Sequence, residues 1–129
     1  MLIERLFSKK DTMVEKTLDA LALRIQAQSN NLANVNTPGY VRQEVSFEDA
    51  LREAYEASPK HRAVDGSEPS PIDSFAPLMR KEAAPQRIDG NTVSPETEMT
   101  AMVETAIAYN ALVRQTGFST LKTIIQNGK

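Results

Sequence analysis

Few residues in this chain combine the types and spacing that chemistry requires. The single histidine, His61, stands near Ser58 and Asp65, the makings of a nucleophilic triad. Such an array works only when its three members are held rigidly at hydrogen-bond distance. These three lie at the start of a stretch, Glu56 to Ser94, that collects Pro59, Pro69, Pro71, Pro77 and Pro85. His61 therefore reads as a solvated loop histidine. Glu96, Glu98 and Glu104 have the spacing of paired acid–base carboxylates. They follow Ser94-Pro95, however, a helix start signal, and acids there are favoured by the positive end of the helix dipole. No cysteine is present. No metal-ligand spacing, phosphate-cradling glycine loop or nucleophile motif is found. The residues point away from an enzyme, and no catalytic residue, cofactor, metal or small-molecule substrate is expected.

The densest polar cluster is SNNLANVNTPGY, from Ser29 to Tyr40, with asparagines at 30, 31, 34 and 36. Thr37 precedes a proline, whose ring excludes the α conformation, so a helix must end near Val35 or Asn36. Pro38-Gly39 suits the centre of a type II turn, with glycine taking the positive φ. Asn36 tolerates the left-handed conformation that closes helices. The amides of Asn34 and Asn36 are placed to donate to the last unpaired carbonyls. Tyr40 has an apolar body and a hydroxyl to fix the exit direction. Asn30 and Asn31 lie inside the helix, where each is worse than alanine by several tenths of a kcal/mol. Their presence points to polar contacts with another surface.

The elements that position this segment are two long helices. Val14, Leu18, Leu21, Ile25, Gln28, Leu32 and Val35 alternate by four and three, a heptad seam on a helix from about Thr12 to Val35. Thr12 and Glu15 fit a capping box at its start. At ~1.5 Å per residue it is roughly 35 Å long, and so narrow a seam needs a partner helix. The second helix, about Pro95 to Gln126, has Ser94 at the N-cap and a matching series: Met99, Met102, Ala106, Tyr109, Val113 and Thr116. Gly117 marks a kink or close approach where the apolar set shifts to Leu121, Ile124 and Ile125. Asn127-Gly128 is its stop.

Leu18, Leu21, Ile25 and Leu32 are expected to pack on Met102, Ala106, Tyr109 and Val113. Val45 and Phe47 alternate as in a strand, and Ser46 caps a short helix ending near Ala57. The rest of the middle reads as mostly irregular, with room for one short extended piece. Only Val64, Ile72, Phe75, Leu78, Met79, Ile88 and Val93 are available for packing there. The expected fold is mainly α: a coiled-coil hairpin with a largely irregular, proline-rich middle. Its parts are residues 1–40, 41–94 and 95–129.

At 129 residues and a formal charge of −2, the chain has room for one modest core. Acids and bases are interspersed without a basic stripe, so no nucleic-acid partner is expected. No apolar run nears the ~20 residues that span a bilayer. MLIERLFSKK has an acid at Glu4 and no apolar core, so a cleavable secretory signal is not expected.

Ser29, Asn31, Leu32, Ala33, Asn34, Thr37, Pro38, Gly39 and Tyr40 match every anchor of the pattern S-x-N-[IL]-A-N-x-x-T-P-G-Y/F. That pattern resembles the signature of the bacterial flagellar rod and hook proteins. Asp89-Gly90-Asn91-Thr92-Val93, Glu98-Met99, Ala108 to Val113 and Leu121-Lys122-Thr123-Ile124 are similar to the proximal-rod branch, as is the short length. Ser94-Pro95 departs from it, since that branch often has an acid there. The resemblance covers both ends and spares the middle.

It implies a subunit exported by the flagellar type III apparatus, with a signal near Met1 to Lys10, that polymerises into a helical, torque-transmitting tube in the periplasm. Its terminal helices would pair as a coiled coil. Its motif loop, including Asn36, would contact neighbours or fix the turn. Its partners would be copies of itself, other rod subunits, and the basal-body adaptor and membrane-ring proteins. Another short rod protein of the same family is the near alternative. A small helical export chaperone or adaptor is the alternative from a different class, although such a protein has no need of Thr37-Pro38-Gly39-Tyr40.

Overall fold

The computed structural model describes residues 9–59, 69–82 and 93–127. Along the chain these form α1 (Lys9–Ala33), β1 (Gln43–Val45), α2 (Glu48–Ala57), β2 (Met79–Lys81) and α3 (Pro95–Asn127). The fold is mainly helical, as the periodicity predicts. β1 and β2 pair antiparallel, with Gln43 opposite Lys81 and Val45 opposite Met79. The Glu82 N–H donates to the Arg42 carbonyl at 2.8 Å and extends that ladder by one bond.

α1 and α3 pack against each other and run antiparallel. Asn31 meets Glu98, Ser29 meets Met102 and Gln28 meets Thr105, so one number falls as the other rises. The expected heptad seam is displaced. On α1 the buried residues are Thr12, Ala20, Leu21, Ala27, Gln28 and Asn31, while Leu18, Ile25 and Leu32 are only half-buried. On α3 the buried residues are Glu98 and Thr105. Met102, Ala106 and Tyr109 are half-buried, and Met99 and Val113 are exposed. The cause is that α1 is covered from two directions. α3 takes one side and the β1–α2 segment another, so the buried arc is wider than a two-helix seam and turned away from it.

The main core confirms this. Ala20, Leu21 and Ala27 of α1 cluster with Val45, Phe47, Leu51 and Ile72, and Met13, Tyr55, Phe75, Met79, Tyr109 and Leu112 pack around them. The described part of the middle is therefore more than an irregular connection: Ile72 is 2% exposed. The expected extended piece is β2. Val93 is also buried, Leu78 is exposed, and Val64 and Ile88 lie outside the described residues. Ser58 locks this layer. Its hydroxyl donates to the Ala54 carbonyl (2.6 Å) and accepts from the Ile72 N–H (2.9 Å), and its carbonyl accepts from Lys9 Nζ (2.8 Å).

Several end signals are placed differently from expectation. Thr12 lies inside α1, a turn past Lys9, so Thr12 and Glu15 do not cap its start. Phe47, and not Ser46, holds the N-cap position of α2, without a side-chain cap bond; Ser46 is one residue too early. Ser94 does precede α3, its carbonyl accepting from the Glu98 N–H at 3.0 Å. α3 is continuous through Gly117, and a Cβ built there meets nothing within 4 Å, so close approach does not explain that glycine. α3 reaches Asn127; Gly128 lies outside the described residues.

Candidate assembly site

The motif forms the exit from α1, and its local chemistry sets the geometry. The helix ends at Ala33, two residues before the expected stop, and tightens into shorter turns. The Asn34 amide Nδ2 donates to the Asn30 carbonyl at 2.8 Å, which also accepts from the Asn34 N–H at 3.1 Å, so one residue closes the helix end through both its side chain and its backbone. Thr37 Oγ1 donates to Asn34 Oδ1 at 3.1 Å. The Tyr40 N–H donates to the Thr37 carbonyl at 3.2 Å, and Gly39 has φ +74°, the signature of a type II turn about Pro38-Gly39. No non-glycine residue among those described has positive φ, so Asn36 is not left-handed. Pro38-Gly39 accomplishes the reversal instead.

Asn31 is the hinge of the site and is fully buried. Its Oδ1 accepts from the Gln43 N–H (2.8 Å) and the Tyr40 hydroxyl (3.0 Å). Its Nδ2 donates to the Gln43 carbonyl (2.8 Å) and to Glu98 Oε2 (3.2 Å). Both donors and both lone pairs of the amide are used. Toward Gln43 the side chain mimics a neighbouring strand, and toward Glu98 it acts as a donor. Aspartate lacks the donors, and alanine lacks everything. For this residue the expected contact with another surface is replaced by contacts within the chain.

Glu98, 1% exposed, is the buried charge. Arg42 Nε is ion-paired to Glu98 Oε1, and Arg42 Nη1 reaches Glu82 Oε2 at 2.6 Å. A buried carboxylate persists only when paired and hydrogen-bonded, and here it is both. Its position in the first turn of α3 is favourable to the dipole, but Arg42 and Asn31 are its specific partners. Burial alone would lower the Arg42 pKa. The hydrogen bonds and charges of Glu98 and Glu82 outweigh it, and the pKa is raised. Burial, then the nearby Glu98 charge, raises Tyr40 above the ordinary tyrosine value. The cluster thus clasps α1, the motif loop, the β1–β2 ladder and α3 together, with one guanidinium set between two carboxylates.

The rest of the motif faces outward. Ala33, Asn36, Thr37, Pro38 and Gly39 are exposed, Leu32, Asn34 and Tyr40 are half-buried, and Ser29 Oγ lies 3.6 Å from Met102 Sδ at the surface. Arg42, Gln43 and Glu82 were not legible as site residues. The usable signal was Asn31 itself, since a buried amide must find partners. Of the considered triad, Ser58 is buried in structural bonds, and His61 and Asp65 lie outside the described residues. Among the described residues no group of three His, Cys, Asp or Glu is placed to hold a metal ion, and no helix is long and apolar enough to cross a membrane.

The site is an amide-tied turn at the exit of a long helix, clasped by Asn31, Arg42 and Glu98 to the start of a second one. A family model described as flagella basal body rod protein matches residues 15–40. The flagellar basal body rod protein FlgB of Bacillus subtilis is 33% identical over 96% of this chain and 98% of its own length. That of Borreliella burgdorferi is 27% identical over 82% and 86%, and that of Aeromonas hydrophila 28% over 80% of each. This chain belongs to the FlgB family of flagellar basal body rod proteins. It is a structural component of the flagellar basal body and not an enzyme.

Proposed function

We propose that this protein is a subunit of the proximal rod, joining copies of itself and other axial proteins in a helical tube that transmits torque. One observation on the molecule carries the reading beyond family membership. Every described side chain after Thr116 on α3 is exposed, including Phe118 (75%), Leu121, Ile124 and Ile125 (68%). A contiguous apolar face of this kind marks an interaction surface. Heterologous, non-closing contacts through such a surface generate a filament instead of a ring. In the assembly the terminal helices would complete a coiled coil, burying Leu18, Ile25, Leu32 and Val113 more fully than one chain does. The outward motif residues Asn34, Asn36, Thr37, Pro38 and Gly39 would meet neighbouring subunits. Export through the flagellar type III apparatus, without a cleavable signal, would deliver the chain to the periplasmic rod beside the adaptor and ring proteins.

Mass spectrometry of stringently washed hook–basal bodies tests the proposal. Recovery of this chain in amounts comparable with other rod proteins is expected. Confinement to the cytosol would overturn the proposal in favour of an export adaptor.

A further inference from the structure

A cleft of about 330 Å³ opens between α1, β1 and the first half of α3, beside the clasp. Gln28, 7% exposed, lines it, and its Oε1 is buried without a hydrogen-bond partner. The orientation of that amide is fixed. Thr105 Oγ1 donates its only hydrogen to the Ala101 carbonyl (2.8 Å), so it can only accept from Gln28, whose Nε2 lies 3.1 Å away. The unmatched atom is therefore an acceptor, and no donor of the cleft wall reaches it.

Charge points the same way. The cations in the wall are already engaged: Arg24 with the Val45 carbonyl and Glu48, and Arg42 with Glu98 and Glu82. The acids Glu44 and Glu104 line the cleft, are exposed and have no ion-pair partner among the described residues. Small-molecule sites are predominantly apolar, whereas the groups here are mostly polar. An unmatched acceptor in a cleft that two such carboxylates also line complements a planar, multi-donor cation.

We propose that this cleft receives an arginine side chain from a neighbouring rod subunit, its guanidinium donating to Gln28 Oε1 and facing Glu44 and Glu104. The inference rests on the rod reading and deepens it, naming a third contact distinct from the outward motif loop and the apolar end of α3.

The test places a photoreactive p-benzoyl-phenylalanine at Glu104 in cells, with adducts mapped by mass spectrometry of isolated basal bodies. The expected adduct is to a neighbouring subunit's peptide centred on an arginine. An adduct only within the chain, one to a peptide without a basic residue, or none at all overturns the proposal. In parallel, E44Q/E104Q is expected to lower recovery of the chain in washed basal bodies by about tenfold, a fold-change of roughly 1.4 kcal/mol. Both positions are exposed, so the urea midpoint of the isolated chain should not move. Normal recovery of this variant, with the parent present, overturns the cleft proposal alone. Absence of the parent from basal bodies overturns the rod reading and this inference together.

Discussion

The two ends of α3 are built on opposite principles. At its start, Glu98 and Thr105 are buried and polar, and each is tied to a named partner on α1. At its far end, apolar residues stand exposed, with Ile124 at 60% and Phe118 at 75%. The first end engages its buried polar side chains with partners on α1, and among the described residues leaves one buried acceptor, Gln28 Oε1, unmatched. The second presents its apolar groups to solvent. The difference separates what the subunit decides for itself from what a neighbour would decide. Direction of the motif loop is fixed internally, while burial of the α3 tail would be completed on assembly. A chain organised this way holds its motif loop in one geometry while the apolar end of α3 is still exposed.

The sharpest way to break that comparison is to remove the cation from the clasp. Arg42→Ala leaves Glu98 buried without its counter-charge, a change that costs about 3–5 kcal/mol when one partner of a buried pair is lost. Urea unfolding followed by circular dichroism reads the loss. Arg42→Met combined with Glu98→Leu should recover much of it, because both charges then disappear together. Equal destabilisation by the single and double changes would mean that packing, and not charge balance, holds this end. Asn31→Ala comes next. It strips bonds from Gln43, Tyr40 and Glu98 at once, with an expected cost of about 2–3 kcal/mol. A loss within the range of an ordinary surface change would show that solvent replaces the amide.

The other end should respond in the opposite sense. Phe118→Ser with Ile125→Ser is expected to shift the isolated chain by no more than about 0.5 kcal/mol, because both side chains are already exposed. The same pair should reduce incorporation into basal bodies severely. If the isolated chain lost stability instead, the α3 tail would be covered within the subunit and the contrast between the ends would fail.

These particulars also show what was readable in advance. The bounds of α3 were legible because Ser94-Pro95 and the late asparagine act over a few residues. The Thr37–Tyr40 turn was legible because proline and glycine constrain φ directly. The seam was read one position off on α3, at Met99 and Val113, because apolar spacing assumes a single partner and α1 has two. The clasp was hidden for a different reason. Asn31, Arg42, Glu82 and Glu98 are ordinary surface residue types, separated by up to 67 positions, and no local rule joins them. Only the poor helix propensity of Asn31 hinted that it serves tertiary structure.

The finest test of the self-contained end is a titration. Burial, and then the Glu98 charge, raises the Tyr40 pKa above its ordinary value of 10.0. A raised folded-state pKa means that the neutral phenol is favoured in the native chain. Its contribution is fully present below the unfolded value and is lost as pH rises through the folded one. Tyr40→Phe also removes the bond to Asn31 Oδ1, a change of about 1 kcal/mol or less. The stability gap between parent and variant should therefore stay constant from pH 7 to about 9 and shrink above about 10. Denaturant midpoints measured across that range decide it. A gap that persisted unchanged to the alkaline limit would mean that the Tyr40 hydroxyl is not held against the clasp, and that the loop direction is set by Pro38-Gly39 alone.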